Sequence, residues 1–144
     1  MANSPRLSIR IDFDGGRVGP GKVELLEHVA RERSIAAAAR AMGMSYKRAW
    51  ALVDTMNQLF RAPVVTTQPG RNTAGATEVT AFGRRVVALY RAAERRAAVA
   101  ASAAIAELTA ATRPVARRRA QPARPAARPA RPSTARSRGR ARRT

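Results

Sequence analysis

The 144-residue sequence contains no cysteine and a single histidine, His28. Without cysteine the chain cannot form disulfides, zinc–thiolate sites, iron–sulfur clusters or a thiol nucleophile. One histidine is too few for a multi-histidine metal site, and His28 is expected at the surface of a helix. Asp12 and Asp14 resemble a carboxylate pair, but a strand end followed by two glycines uses aspartate routinely. We therefore expect no enzyme activity, no metal and no cofactor.

Acidic residues are scarce, since 9 Asp and Glu stand against 28 Lys and Arg, and the net charge is +19. All the cations except Lys22 and Lys47 are arginine. Such an excess indicates a polyanionic partner, either nucleic acid or an anionic surface. Long apolar runs are also absent, because the most apolar stretch, residues 97–106, is too short to cross a bilayer. With no secretory signal visible at the start, we expect a cytoplasmic protein.

The composition changes sharply after Thr112. Residues 113–144 contain twelve arginines and five prolines, no acid, and Val115 as the only larger aliphatic residue. Such a segment cannot bury enough apolar surface to offset the entropy of ordering it. We predict a disordered, Arg/Ala/Pro-rich basic tail over residues 113–144. A GC-rich coding bias would produce a similar composition.

Residues before the tail carry clear helix signals. Pro20 is suited to a first helical turn, and Ser34, Ser45 and Thr80 are suited to N-caps. Gly43 stands where a helix most easily ends in a left-handed residue. The predicted helices run from Pro20 to about Arg33, from Ile35 to Met42, from Ser45 to about Leu59 and from Ala81 to about Ala111.

The β-type signals lie before the first of these helices and between the third and the fourth. Residues 7–13 alternate between apolar and polar side chains, which is typical of a half-buried strand. Residues 64–67 and 77–79 are β-rich and are separated by Pro69, Gly70 and Gly75, which predicts a hairpin with a loose tip.

Residues 35–56 have the pattern of a helix–turn–helix. A tight turn at Gly43-Met44 joins two helices, and Ala39 leaves room for them to cross closely. The residues expected to face inward are Ala38, Met42, Met44, Ala49, Leu52, Val53 and Met56. This arrangement places the second helix in the major groove of DNA.

The first turn of that second helix is the predicted site. Ser45, Tyr46, Lys47 and Arg48 supply donors to base edges and phosphates, and the free N–H groups of the helix start add positive potential. Trp50 is expected to pack in the core or between elements.

The order of strand, helix, helix–turn–helix and hairpin predicts a winged helix. The fold class is mainly α with a small β-hairpin, with the winged helix–turn–helix over residues 1–80. The hairpin tip, residues 68–75 with Arg71 and Asn72, is expected to reach the DNA backbone or minor groove. A long alanine-rich helix over residues 81–112 follows, and its length predicts a partner helix and therefore a dimer.

Three strings carry a family resemblance: residues 44–50, Met-Ser-Tyr-Lys-Arg-Ala-Trp; residues 56–59, Met-Asn-Gln-Leu; and residues 80–83, Thr-Ala-Phe-Gly. With these strings, residues 9–90 resemble the N-terminal DNA-binding domain of the ModE-type molybdate-responsive regulators, relatives of the LysR-type winged helices. The resemblance implies a bacterial transcription regulator that dimerises through the first strand and the last helix. The family's oxyanion-binding domains are replaced here by the alanine-rich helix and the tail, so we expect no small-molecule effector.

Three functions remain open. The first is a dimeric, sequence-specific regulator of transcription that binds double-stranded DNA. The second is a nucleoid-associated architectural protein with little sequence preference, in which the basic tail dominates binding through counterion release. The third is an interaction module whose alanine-rich helix docks a protein partner and whose winged helix does not bind DNA.

Overall fold

The computed structural model describes residues 4–67 and 77–114. Along these residues the chain forms four short strands and five helices. In chain order they are β1 Ile11–Phe13, β2 Gly16–Val18, α1 Pro20–Glu32, α2 Ile35–Ala41, α3 Tyr46–Leu59, β3 Val65–Thr67, β4 Thr77–Val79, α4 Ala81–Ala100 and α5 Ser102–Ala111. This architecture confirms the predicted fold class. The predicted tail lies almost entirely outside the described residues.

Three predicted N-caps start their helices through side-chain hydrogen bonds. Ser34 Oγ accepts from the Ala37 N–H at 3.1 Å, and Ser45 Oγ accepts from the Arg48 N–H at 3.1 Å. Thr80 Oγ1 accepts from the Gly83 N–H at 2.9 Å. Each bond satisfies a backbone donor that the helix itself leaves without a partner.

The turn of the helix–turn–helix forms at the glycine that the sequence indicated. Gly43 has φ +65°, a left-handed conformation that glycine adopts without steric cost. The Met44 N–H then donates to the Ala39 carbonyl at 3.0 Å, which closes the turn against α2. Ala38 and Ala39 are both buried, in agreement with a close helix crossing.

The N-terminal strand is shorter than expected, and it belongs to a hairpin. Only Ile11–Phe13 is a strand, and it pairs antiparallel with Gly16–Val18 through the Asp14-Gly15 turn. The sequence did not indicate the second strand because two of its neighbours are glycines and only Val18 is apolar. The other hairpin matches the expectation, since β3 pairs antiparallel with β4 in the register Val65–Val79.

Two packed clusters form the core. The larger one joins α1, α2, α3 and the base of the second hairpin around Leu25, Leu26, Met56 and Val64, all fully buried. The smaller one joins the first hairpin to α1 and α4 through Val18, Val23 and Tyr90. The Tyr90 hydroxyl donates to the Ile9 carbonyl at 2.7 Å, which fixes the N-terminal segment against α4.

The predicted long helix is interrupted at Ala101, where α4 ends and α5 begins. Backbone bonds continue across the interruption, from the Ala101 N–H to the Ala97 carbonyl and from the Ile105 N–H to the Ala101 carbonyl, both at 2.9 Å. A run of alanines carries no sequence signal for such a break, since each one favours helix. Among the described helices, none is both long enough and apolar enough to cross a membrane.

Candidate nucleic-acid interface

Helix α3 is held against the body by one face. Ala49, Val53 and Met56 are buried in the larger cluster, and Met44 and Leu52 pack on its edge. These residues recur at the three- and four-residue spacing that forms a single helical stripe. The residues predicted to face inward therefore do so, and the opposite face of α3 is directed away from the core.

The first turn of α3 is exposed and basic. Tyr46 is 56% exposed, and Lys47 and Arg48 are exposed as well. The acceptor side of the Ser45 hydroxyl is occupied by the helix cap, which leaves its own proton available for donation. The structure thus brings Ser45, Tyr46, Lys47 and Arg48 together on one accessible helix start.

The position of Trp50 differs from the one predicted from the sequence. It was expected in the core or between elements, but its side chain is 46% exposed, one helical turn beyond Tyr46. The two rings follow each other at the four-residue spacing that places side chains on the same helix face. That spacing was the signal in the sequence, because the core stripe uses positions 49, 53 and 56 and excludes position 50.

Further along α3, polar groups that the sequence analysis did not single out continue the exposed face. Gln58 Nε2 donates to Asp54 Oδ2 at 2.7 Å, and the Thr55 hydroxyl donates to the Ala51 carbonyl at 2.7 Å. Both bonds join residues four positions apart within α3. The second half of its outer face therefore also carries polar side chains.

Asn57 connects α3 to the base of the wing. Its Oδ1 accepts from the Val64 N–H at 2.8 Å and the Val65 N–H at 3.2 Å, and its Nδ2 donates to the Val65 carbonyl at 3.0 Å. One amide side chain thus satisfies three backbone groups at the start of β3. The direction in which β3 leaves the body is consequently coupled to the position of α3.

The wing tip itself lies outside the described residues, and with it Arg71 and Asn72. Its base is fixed by the β3–β4 pairing and by α4, where the Thr80 hydroxyl donates to the Pro63 carbonyl at 2.7 Å. Within residues 4–67 and 77–114, no group of three or more acidic or histidine side chains is placed to hold a metal ion.

Comparison with known proteins agrees with this geometry. Residues 21–84, from the first turn of α1 to the first turn of α4, match the model of the family described as bacterial regulatory helix-turn-helix proteins, lysR family. The N-terminal part of this chain is a LysR-type helix–turn–helix domain. That family consists of regulatory proteins and is not a class of enzymes.

Individual relatives of this LysR-type domain are ModE-like, as the resemblance implied. The chain is 43% identical over 89 residues to the molybdenum transport protein ModE of Azotobacter vinelandii, covering 62% of this chain and 33% of that protein. It is 44% identical over 84 residues to the molybdenum-pterin-binding protein MopB of Rhodobacter capsulatus, covering 58% and 31%. The DNA-binding transcriptional dual regulator ModE of Escherichia coli K12 is 37% identical over 71 residues, covering 49% and 27%. The chain thus spans about a third or less of the length of these relatives.

Proposed function

We propose that this protein is a transcriptional regulator that binds a specific sequence of double-stranded DNA as a dimer, in the cytoplasm of a bacterium, with α3 as its recognition helix. The observation that carries this proposal is the exposed, basic first turn of α3 on a LysR-type domain whose inner face is buried. The E. coli relative bears the name of a DNA-binding regulator, which favours the same activity here.

Within this proposal, Lys47 is the side chain best placed to contact a base edge. It stands on the face of α3 opposite the buried stripe of Ala49, Val53 and Met56. Each good base contact contributes about 1–3 kcal/mol of discrimination between base pairs. Tyr46 and Trp50 add exposed aromatic surface on the adjoining side. Arg71 and Asn72 of the wing remain proposed contacts to the backbone or minor groove.

The proposed dimer rests on apolar surface that the single chain leaves uncovered. Leu89 is 53% exposed, Val99 75% and Leu108 68%, and α5 has no buried residue. A second copy of the chain would cover these apolar side chains, because its own α4 and α5 present the same surface across a twofold axis. The two recognition helices would then contact half-sites about one helical turn of DNA apart.

Selection of bound sequences from a random DNA pool tests the proposal directly. We expect an inverted repeat, and we expect Lys47→Ala to lower affinity for it by about 5- to 150-fold, as loss of one base contact implies. Arg95→Ala, which removes one exposed positive charge from α4, is the matched control and should have a much smaller effect. Recovery of no common sequence would contradict the proposal. If a variant lacking both Lys47 and Arg48 retains full DNA affinity, the start of α3 does not contribute to DNA binding. That result would favour the interaction module, whose winged helix does not bind DNA.

The architectural alternative is favoured by the twelve arginines of the tail, and deletion of residues 113–144 separates it from the regulator. A specific regulator retains its preferred sequence after the deletion, and only affinity and salt dependence fall. The relevant quantity is the slope of the logarithm of the binding constant against the logarithm of the salt concentration. If all twelve arginines contact phosphates, their deletion reduces the magnitude of this slope by up to about 11. Near-complete loss of binding, with no residual sequence preference, would support the architectural protein instead.

A further inference from the structure

A groove of about 440 Å³ lies beside the recognition helix, open to solvent. Its walls come from three segments that are separate in sequence: the approach to β1, the junction of β2 with α1, and the first half of α3. Four of its lining residues are cations, Arg10, Arg17, Lys22 and Arg48, and we call it the basic groove. Its apolar floor includes Ile9, Met44 and Leu52.

Acidic side chains only partly balance these cations. Asp12 pairs with Arg10 Nε at 3.2 Å and with Arg17 Nε at 3.6 Å, so one carboxylate serves two guanidinium groups. Lys22 Nζ donates to the Arg17 carbonyl at 2.7 Å. Within the part of the chain that the structure describes, neither Lys22 nor Arg48 forms an ion pair. The basic groove therefore carries a net excess of positive charge.

The start of α1 adds to this potential. Lys22 belongs to the first turn of this 13-residue helix, and Gly19 provides no side-chain cap. Backbone N–H groups of a first helical turn have no partner within the helix. This helix start would not make a site alone, but it lines a groove that already contains four cations.

Burial lowers the pKa of Lys22, and the neighbouring positive charge of Arg17 lowers it further. A negative charge bound beside Lys22 would oppose this shift, because it favours the charged form of the ammonium group.

We propose that the basic groove holds a phosphate of the DNA backbone on the flank of the recognition helix. This inference rests on the proposed function. Arg48 follows Lys47 directly, so when the outer face of α3 enters the major groove, the neighbouring backbone strand passes on the side of Arg48. The three guanidinium groups and one ammonium group of the basic groove are donors of the kind that phosphate contacts use. An open groove admits a continuing polymer.

The N-terminal segment supplies two of the four cations of the basic groove. Arg10 and Arg17 precede residues 21–84, the part matched by the LysR-type family model. The first hairpin thus contributes directly to DNA binding, in addition to packing against α4. It fixes the register of the protein on the duplex without reading its sequence.

The test compares the salt dependence of DNA binding by the full chain and its variants. Arg17→Gln and Lys22→Gln should each lower the log–log salt slope by about 0.9, equally on specific and non-specific DNA. Lys22→Arg keeps the charge and should keep the slope. Arg95→Gln is the matched control for loss of a charge outside the groove, and circular dichroism melting checks that each variant is folded.

Two results overturn this inference while leaving the proposed function intact. One is that wild-type protein binds its specific sequence and both groove variants match Arg95→Gln. The other is saturable binding of inorganic phosphate that the groove variants lose, with an unchanged DNA salt slope. That second result would assign the basic groove to a free oxyanion. If wild-type protein binds no DNA, the proposed function fails, and this inference fails with it.

Discussion

Helices α3 and α5 differ in what holds them. Helix α3 begins with a side-chain cap and buries three residues in the core. Helix α5 begins at Ser102 after Ala101, which provides no side-chain cap, buries none of its residues and carries Glu107 as its single charge. The body of the protein determines where α3 lies, so its outer face is free for a ligand. Helix α5 forms through alanine propensity, and the described residues leave its apolar surface uncovered.

Gly83→Ala should give the largest loss of stability in the body. A Cβ at Gly83 would lie 2.2 Å from the Val64 carbonyl oxygen, a backbone atom that cannot move away cheaply. We expect the free energy of unfolding to fall by about 3 kcal/mol, measured by urea denaturation. Gly21→Ala is the matched control, because a Cβ there meets nothing within 4 Å. Equal stability of the two variants would show that α4 does not pack this closely against the backbone at Val64.

Asn57→Ala should lower the free energy of unfolding by about 2 kcal/mol, because it leaves the Val64 and Val65 N–H groups without their acceptor. Chemical denaturation measures the loss, and Asn57→Asp, which keeps an acceptor oxygen, should recover part of it. Gln58→Ala, which removes a bond only to the neighbouring Asp54, should change stability by less than about 0.5 kcal/mol. If Asn57→Ala behaves like Gln58→Ala, the wing base does not depend on this side chain.

In contrast to these body variants, Leu108→Glu in α5 should leave the free energy of unfolding of the body almost unchanged. We expect it to weaken the dimer by about tenfold or more, since a charge would be buried in the proposed interface. Sedimentation equilibrium measures the dissociation constant. Ala106→Glu, with the same charge on the other side of α5, controls for helix propensity and net charge. Loss of dimer in both variants, or in neither, would contradict an interface through Leu108.

The smallest expected effect depends on pH. Arg91 donates two hydrogen bonds to the Glu27 carboxylate, both at 2.8 Å, and these bonds hold the pKa of Glu27 below its ordinary value of 4.5. The pair therefore stabilises the fold above pH 4.5, and the stabilisation disappears as pH falls through the lowered pKa. Because the pair is partly exposed, Glu27→Gln should lower the free energy of unfolding by only about 1 kcal/mol at pH 7. At a pH below the lowered pKa of Glu27, the substitution should have almost no effect on stability. Urea denaturation across pH checks this, with Glu32→Gln as the control.

Local features of the fold were predictable from the sequence. Ser34, Ser45 and Thr80 were identifiable as caps because a cap depends on residues at most three positions away. The stripe of Ala49, Val53 and Met56 was predictable for the same reason, since helix periodicity fixes which side chains share a face.

Features that join distant segments were not predictable in this way. Arg91 and Glu27 are 64 residues apart, and the basic groove combines three separate segments. Trp50 was misplaced for a different reason: large aromatic residues usually contribute to cores, and the stripe at positions 49, 53 and 56, which excludes position 50, was not applied to it. The contacts of Ser45, Tyr46, Lys47 and Arg48 with DNA stay predictions, as do those of the wing tip.

The hydrogen bond from Tyr90 to Ile9 has a consequence for the way this chain folds as it is synthesised. Its two residues are 81 positions apart, so the cluster of Val18, Val23 and Tyr90 cannot close until most of the chain has left the ribosome. The turn between α2 and α3, closed by the bond from the Met44 N–H to the Ala39 carbonyl, involves only residues that emerge much earlier. The turn between α2 and α3 can therefore form on the nascent chain before the first hairpin is tied to α4.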